Sequence, residues 1–212
     1  KKGVDQLVER LTDRKSKVIV GTSSGKNYDS PNEKAFEDYL LCLEKVYAHT
    51  DYVAVNISSP NTENLRELSN EEYLGTLLGK IKSKQDDLSS LLGYKPVFIK
   101  ISPDEQLENL REICNSVLIY KLDGIICSNT TAEHDDKNGK GGLSGKPLKN
   151  KATERLAFVK SIIKDELPIM ASGGVMSVSD YKEKIDAGAD LVQIYTGFIF
   201  EGPELVRELV IL

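Results

Sequence analysis

Six short runs of apolar and β-branched residues alternate with longer amphipathic segments along this 212-residue chain, and no other feature limits the possible folds as strongly. Most of the runs are continuously apolar rather than alternating, which is typical of parallel strands covered on both faces. They span residues 18–23, 52–58, 97–102, 124–130, 168–173 and 191–196. Segments with apolar residues at helical spacing separate them, so the sequence predicts six consecutive βα units.

Six βα units fit either an open doubly wound sheet or most of a barrel. In a doubly wound nucleotide-binding fold the glycine-rich turn follows an early strand, whereas Gly173 and Gly174 here follow the fifth predicted strand. We therefore predict an α/β fold, a (β/α)8 TIM barrel with about six of its eight βα units in this chain. Residues 1–212 would supply strands 3–8. Because the sequence begins without Met and with one helical pattern, we expect two strands and further helices upstream of Lys1.

Local signals predict how some of the connecting segments begin. Pro31 is expected in the first turn of one helix, Asp104 as the N-cap of the next-but-one, and Pro203 at the start of the last. Residues 131–145 form the longest polar loop. A long loop at the carboxyl end of a barrel strand is a candidate lid.

Composition excludes several classes of function. The formal charge is −5 and the isoelectric point is near 5.3, so no net positive field would hold the chain on nucleic acid. No apolar run approaches the roughly 20 residues of a membrane-spanning helix. The three cysteines form no C-x-x-C pair, and no spacing resembles a metal site. We expect an intracellular protein with reduced cysteines and no bound metal.

Amides and hydroxyls are concentrated at the carboxyl ends of the predicted strands, where a barrel places its active site. The glycine pair after the fifth strand and Tyr195-Thr196-Gly197 after the sixth fit a phosphate site, because glycine lets backbone N–H groups approach an anion. The alternative is two tight turns that need glycine for steric reasons.

Lys100 ends a strand that looks buried, and three interpretations of it remain open. It could form a Schiff base, lie beside a cofactor that becomes anionic, or make a structural ion pair. Ser59 follows the next strand upstream, but the two histidines, His49 and His134, lie on a helix and in the polar loop. A Ser-His-Asp hydrolase is therefore not expected.

Six linked motifs, in order and at similar spacing, resemble those of the dihydroorotate dehydrogenases, particularly the class 2, quinone-reducing branch. The resemblance extends over nearly the whole chain. The motifs are Asn56-Ile-Ser-Ser-Pro-Asn-Thr62, Lys100-Ile-Ser-Pro-Asp104, Ser128-Asn-Thr-Thr131, Gly141-Gly-Leu-Ser-Gly-Lys-Pro-Leu148, Ser172-Gly-Gly174 and Leu191-Val-Gln-Ile-Tyr-Thr-Gly-Phe198.

The resemblance implies an FMN enzyme that oxidises dihydroorotate to orotate in pyrimidine synthesis and passes electrons to a quinone. It implies that Ser59 is the general base, that Thr62 relays its proton, and that Lys100 lies near flavin N1 and O2. The substrate positions are Asn56, Asn61, Asn129 and Thr130. The flavin positions are Ser23, Asn56, Lys100, Ser128, Gly145, Gly174, Tyr195 and Thr196. It also implies a peripheral location on the bacterial or mitochondrial inner membrane, through segments outside this chain.

One residue departs from the family's pattern, since Ser23 stands where the family usually has Asn at a flavin contact. Three other functions remain possible from the residues: another FMN-dependent pyrimidine oxidoreductase, a Schiff-base aldolase using Lys100, and a non-catalytic barrel that binds a phosphate ligand.

Overall fold

The computed structural model describes residues 3–27, 29–31, 34–58, 71–135 and 141–211, in which strands and helices alternate. The strands are β1 (Gly21–Ser24), β2 (Tyr52–Asn56), β3 (Val97–Ile101), β4 (Gly124–Cys127), β5 (Ile169–Ser172) and β6 (Leu191–Gln193). The helices are α1 (Gly3–Thr12), α2 (Ala35–Val46), α3 (Glu71–Leu92), α4 (Leu107–Ile119), α5 (Lys149–Ile163), α6 (Val178–Asp186), α7 (Thr196–Glu201) and α8 (Pro203–Val210). Two 3-10 helices, Tyr47–His49 and Lys146–Leu148, precede β2 and α5.

The six strands form one parallel sheet in which each strand pairs with the next along the chain. The sheet curls into part of a barrel with helices outside, so the predicted βα units and barrel are confirmed. The predicted strands were too long at one or both ends. At the start of β1, for example, Val18 and Ile19 are exposed and the N–H of Val20 donates to the Asp51 carboxylate, not to a neighbouring strand.

Alternate residues of the strands divide between two apolar clusters, as the two-residue period of a strand requires. The larger cluster lies between sheet and helices, and a smaller one covers the inner face with Ala54, Phe98, Ile126 and Met170. Two positions further along the same strands lie Asn56, Lys100, Ser128 and Ser172. The inner face therefore changes from apolar to polar toward its carboxyl end, and the apolar layer forms a floor beneath the polar one.

Carboxylates cap the opposite, amino-terminal end of the sheet at alternate strands. An aspartate directly before each even-numbered strand accepts a hydrogen bond from a backbone N–H at or next to the start of the preceding strand. These bonds join Asp51 to Val20 (2.8 Å), Asp123 to Val97 (2.7 Å) and Asp190 to Ile169 (2.7 Å). They hold adjacent strands in register at the end of the sheet away from the cleft described below.

Two predicted helix starts were wrong and one is confirmed. Helix α2 begins at Ala35, four residues after Pro31, which instead accepts the N–H of Lys34 in a turn. Helix α4 begins at Leu107, and Asp104 does not cap it because its carboxylate is hydrogen-bonded to Thr131 and Lys151 instead. Pro203 opens α8 as expected. No helix among the described residues is long and apolar enough to cross a membrane.

Candidate active site

A cleft of about 200 Å³ opens at the carboxyl end of the sheet, between the ends of β3 to β6 and the polar loop that follows β4. Its lining combines amides, hydroxyls, glycines and a single lysine, and among the described lining residues there is no carboxylate. They are Lys100, Ser128, Asn129, Thr130, Ser144, Leu148, Ser172, Gly173, Gly174, Val175, Gln193, Ile194, Tyr195, Thr196 and Gly197. The cleft therefore suits a ligand that accepts hydrogen bonds and carries negative charge.

Two asparagines at this end of the sheet, Asn56 and Asn129, are hydrogen-bonded to each other and to Ser58. The side-chain oxygen of Asn56 accepts from the N–H (3.2 Å) and hydroxyl (3.1 Å) of Ser58 and from Nδ2 of Asn129 (3.2 Å). Asn129 Nδ2 also lies 3.1 Å from the backbone oxygen of Ser58, and its own Oδ1 accepts the N–H of Thr130. The backbone oxygen of Asn56 is held by the hydroxyl of Tyr39. These bonds fix the backbone at residue 58, directly before Ser59.

Lys100 extends from the inner face of β3, paired in register with Asn56 on β2. Burial lowers the pKa of its ammonium, and no described side chain pairs with Nζ. A half-buried cation without a neighbouring carboxylate is favourable only when a ligand supplies electron density. Of the three interpretations, a structural ion pair finds no support among the described residues.

The glycine turns after β5 and β6 are required sterically. Gly173 and Gly174 have φ of 105° and 79°, and a Cβ on Gly174 would lie 2.2 Å from the Cα of Lys149. A Cβ on Gly197 would lie 2.3 Å from the backbone oxygen of Val175. Both turns also line the cleft, so the steric and ligand-binding interpretations apply to the same glycines.

The polar loop reaches this region from the other side. Ser144 Oγ lies 2.6 Å from Thr196 Oγ1, and Gly145, at φ 72°, packs against the Thr196 methyl group. Tyr195 is 77% exposed at the mouth of the cleft. His134 contacts two backbone oxygens of its own loop, those of Asp135 (3.0 Å) and Gly141 (2.7 Å), and is absent from the described cleft lining.

The structure brings most of the predicted site residues together, but not all of them. Ser23 lies on β1, in register with Ala54 of the inner face, and is not among the cleft residues. Ser59, Asn61 and Thr62 lie outside the described residues. Sequence reasoning missed Gln193 as a lining residue, although a polar residue within an apolar strand is a signal for it.

Known proteins resemble this chain in sequence and in fold. The family model described as "Dihydroorotate dehydrogenase" matches residues 1–211. Proteins named "Dihydroorotate dehydrogenase (quinone)" from Aliivibrio salmonicida and Shewanella sediminis are 46% and 45% identical, over 98% and 99% of this chain. The chain spans 64% of the length of each. The crystal structure of the Eimeria tenella DHODH in complex with ferulenol superposes with a TM-score of 0.87 at 30% identity, covering 97% of this chain and 62% of that one.

Proposed function

The chain belongs to the dihydroorotate dehydrogenase family, and on that premise we propose that the full-length protein oxidises dihydroorotate to orotate with bound FMN and passes the electrons to a quinone. Residues 1–212 would then be strands 3–8 of its barrel. The observation that carries the proposal is the meeting of Lys100, the asparagine pair and the glycine turns at one end of the sheet.

The residues present fit a flavin phosphate at one side of the cleft and an electron-rich ring at the other. Backbone N–H groups at the Gly173-Gly174 turn and the Ser144–Thr196 pair suit the phosphate. Gly145, Tyr195 and Ser128 would complete the flavin site, and Ser23 would reach it from β1. When bound, FMN would supply the acceptor for a hydride from the substrate.

Lys100 would act on the charge that accumulates during the reaction. Its ammonium would lie near the ring atoms that become anionic, and the low dielectric around a half-buried lysine would strengthen that interaction. Asn56, Asn129 and Thr130, with Asn61 from the following segment, would hold the carboxylate and amides of dihydroorotate through directional hydrogen bonds. Their positions would fix which carbon faces the base.

We assign proton removal to Ser59, assisted by Thr62. The hydroxyl oxygen of Ser59 would take the C5 proton of dihydroorotate, and Thr62 would pass the serine proton onward. An unassisted hydroxyl is a weak base at neutral pH, so the relay is needed. The hydrogen bonds of Asn56 and Asn129 to Ser58 support this assignment, because they fix the neighbouring backbone.

The proposed membrane location follows from the quinone that would accept the electrons. The relatives' printed name includes quinone, and quinones of respiratory chains are dissolved in membranes. We propose that the full-length protein works peripherally at a bacterial or mitochondrial inner membrane, with its membrane contact in segments outside residues 1–212.

Substitution of Ser59 by Ala in the full-length protein tests the proposal. We expect FMN to remain bound, because Ser59 would touch the substrate and not the phosphate, while anaerobic bleaching of the flavin by dihydroorotate slows about 10²- to 10⁴-fold. Ser161→Ala is the control, since that exposed hydroxyl donates to its own helix at Phe158. Bleaching of Ser59→Ala at the wild-type rate would refute the base assignment. A wild-type protein without flavin would refute the function.

A second function is favoured by one observation, the lowered pKa of Lys100. A less protonated amine is a better nucleophile toward a carbonyl, as a Schiff-base aldolase requires. Such an enzyme would be colourless and would be trapped on Lys100 by borohydride with a carbonyl substrate. Absence of trapping together with a flavin spectrum favours the dehydrogenase.

A further inference from the structure

Asp104 lies beside the cleft and is hydrogen-bonded in three directions. Its carboxylate accepts from the Thr131 hydroxyl (2.5 Å), the N–H of Ala132 (2.8 Å) and the ammonium of Lys151 (2.6 Å). The side chain is 2% exposed. Although burial acts in the opposite direction, the bonds from Lys151, Thr131 and Ala132 hold the pKa of Asp104 below its ordinary value. The carboxylate of Asp104 is therefore ionised, and these hydrogen bonds stabilise its charge.

These contacts join three segments that are distant in sequence. Asp104 lies in the connection between β3 and α4, Thr131 begins the polar loop after β4, and Lys151 is in the first turn of α5. Lys151 also pairs with Glu133 of the polar loop at 2.7 Å. The Nε of Arg155 donates to the backbone oxygen of Pro103 (3.0 Å), which ties α5 to the Asp104 segment a second time.

The contacts of Asp104 with Thr131, Ala132 and Lys151, here called the clamp, fix the base of the polar loop. Thr131 and Leu143 exchange two backbone hydrogen bonds, of 3.1 and 2.7 Å, as an isolated antiparallel bridge. The residues just outside this bridge face the cleft on both sides: Asn129 and Thr130 before it, and Ser144 after it. A shift of Thr131 would therefore move both walls of the cleft.

We propose that Asp104 and Lys151 are positioning residues that hold Asn129 and Thr130 in the geometry for binding the substrate ring. The inference rests on the proposed function, because it takes the cleft to hold dihydroorotate. Neither side chain is among the described residues that line the cleft, so they act through Thr131 and Ala132. Lys151→Met would leave the buried Asp104 carboxylate without this ammonium, and Asp104→Asn would leave Glu133 as the described carboxylate partner of Lys151. Either change would weaken the contacts that hold Thr131 and Ala132 in place.

Kinetics of the full-length, FMN-loaded protein test this. In Asp104→Asn and Lys151→Met we expect the KM for dihydroorotate to rise about tenfold or more, because misplaced binding groups lose directional hydrogen bonds. Flavin bleaching at saturating dihydroorotate should stay within about threefold of wild type, since neither residue touches the reacting atoms. FMN content should remain at the wild-type value. Lys151→Arg, which keeps the charge, should restore a near-normal KM.

Two further variants keep the test decisive. Thr131→Val removes the hydroxyl that donates to Asp104 and accepts the N–H of Glu133 (3.1 Å), and it retains the ion pair. It therefore reports on the clamp even if Asp104→Asn fails to fold, and its KM should rise about threefold. Asp165→Asn breaks the exposed Lys160–Asp165 pair and should leave KM unchanged.

The outcomes separate the two proposals. An unchanged KM in Thr131→Val and in whichever clamp variants fold overturns the positioning role, as does loss of flavin or stability with normal KM. If the wild-type flavin is not bleached by dihydroorotate at all, the proposed function fails and this inference fails with it.

Discussion

Polar groups at the two ends of the six-stranded sheet differ in their hydrogen-bond partners. At the amino-terminal end, Asp51, Asp123 and Asp190 are hydrogen-bonded to the backbone of neighbouring strands. At the carboxyl-terminal end, the cleft presents amides, hydroxyls and Lys100, with no carboxylate among its described lining residues. The nearby carboxylate of Asp104 accepts bonds from the loop base.

This difference separates stability from function. Polar groups that are satisfied within the protein contribute to the free energy of unfolding and have little capacity left for a ligand. The ammonium of Lys100 lacks a described partner, so it costs stability in the free protein and gains a partner when an anionic ligand binds. Substitutions at the amino-terminal end should therefore change the free energy of unfolding, and substitutions at the carboxyl-terminal end should change the rate of flavin reduction.

Lys100→Met is expected to have the largest effect. Loss of a preorganised cation beside developing negative charge should slow flavin reduction by dihydroorotate on the order of 10²- to 10³-fold, measured anaerobically by stopped flow. Stability should be unchanged or slightly higher, since a desolvated charge has been removed. The assignment of stability to one end of the sheet and function to the other is wrong if this variant unfolds more easily yet reduces its flavin at the wild-type rate.

Lys95→Met is the matched control for that variant. Lys95 lies just before β3, at the amino-terminal end, where its ammonium donates to the backbone oxygen of Thr50 at 2.5 Å. Its loss should lower stability by about 1 kcal/mol and leave flavin reduction unchanged. A kinetic defect comparable to that of Lys100→Met would contradict the comparison.

The fold was largely predictable because its signals are local. Apolar runs located all six strands, although β1 (Gly21–Ser24) begins only after the apolar residues of its run. The two-residue period of a strand places Asn56 and Lys100 on the same face once the strands are parallel. The late position of Gly173 and Gly174 correctly favoured a barrel. These inferences need only neighbouring residues and the rule that parallel strands end at one edge.

The clamp could not be predicted, because its partners come from segments 27 and 47 residues apart. An aspartate shortly before a helix has the local signature of an N-cap, and tertiary contacts with Thr131 and Lys151 override it. The strand ends were misplaced for a similar reason. Hydrogen bonding to Asp51, which lies before the next strand, draws Val20 out of the sheet, and no local pattern reveals that partner.

Asp123→Ala should give the next largest effect, on stability alone. Asp123 accepts from the N–H of Val97 (2.7 Å), from the fully buried Gln85 (2.6 Å) and from Tyr94. Removing the carboxylate leaves these donors unsatisfied and should cost about 2–3 kcal/mol in urea unfolding. Asp190→Ala, whose exposed carboxylate holds the N–H of Ile169, should cost less. A raised KM for dihydroorotate in Asp123→Ala would break the separation.

Lys184→Met gives the smallest effect and asks whether a buried cation outside the described cleft lining also costs stability. Lys184 is 1% exposed and donates to Thr153 Oγ1 (2.6 Å) and the backbone oxygen of Lys149 (3.2 Å), while Asp180 and Glu183 pair with the Lys149 ammonium. Burial lowers the pKa of Lys184 to about 8. An unfolded lysine has a pKa of about 10.4. Between pH 8 and that value the unfolded state binds more protons than the folded state, so the contribution of Lys184 to stability rises with pH over this range. Below pH 8 both states are protonated and the full desolvation penalty of the ammonium remains.

Lys184→Met should therefore be about 1 kcal/mol more stable than wild type at pH 7 in urea unfolding, and the difference in stability should narrow toward pH 10. A variant less stable at pH 7 would mean that the hydrogen bonds of the ammonium outweigh its desolvation.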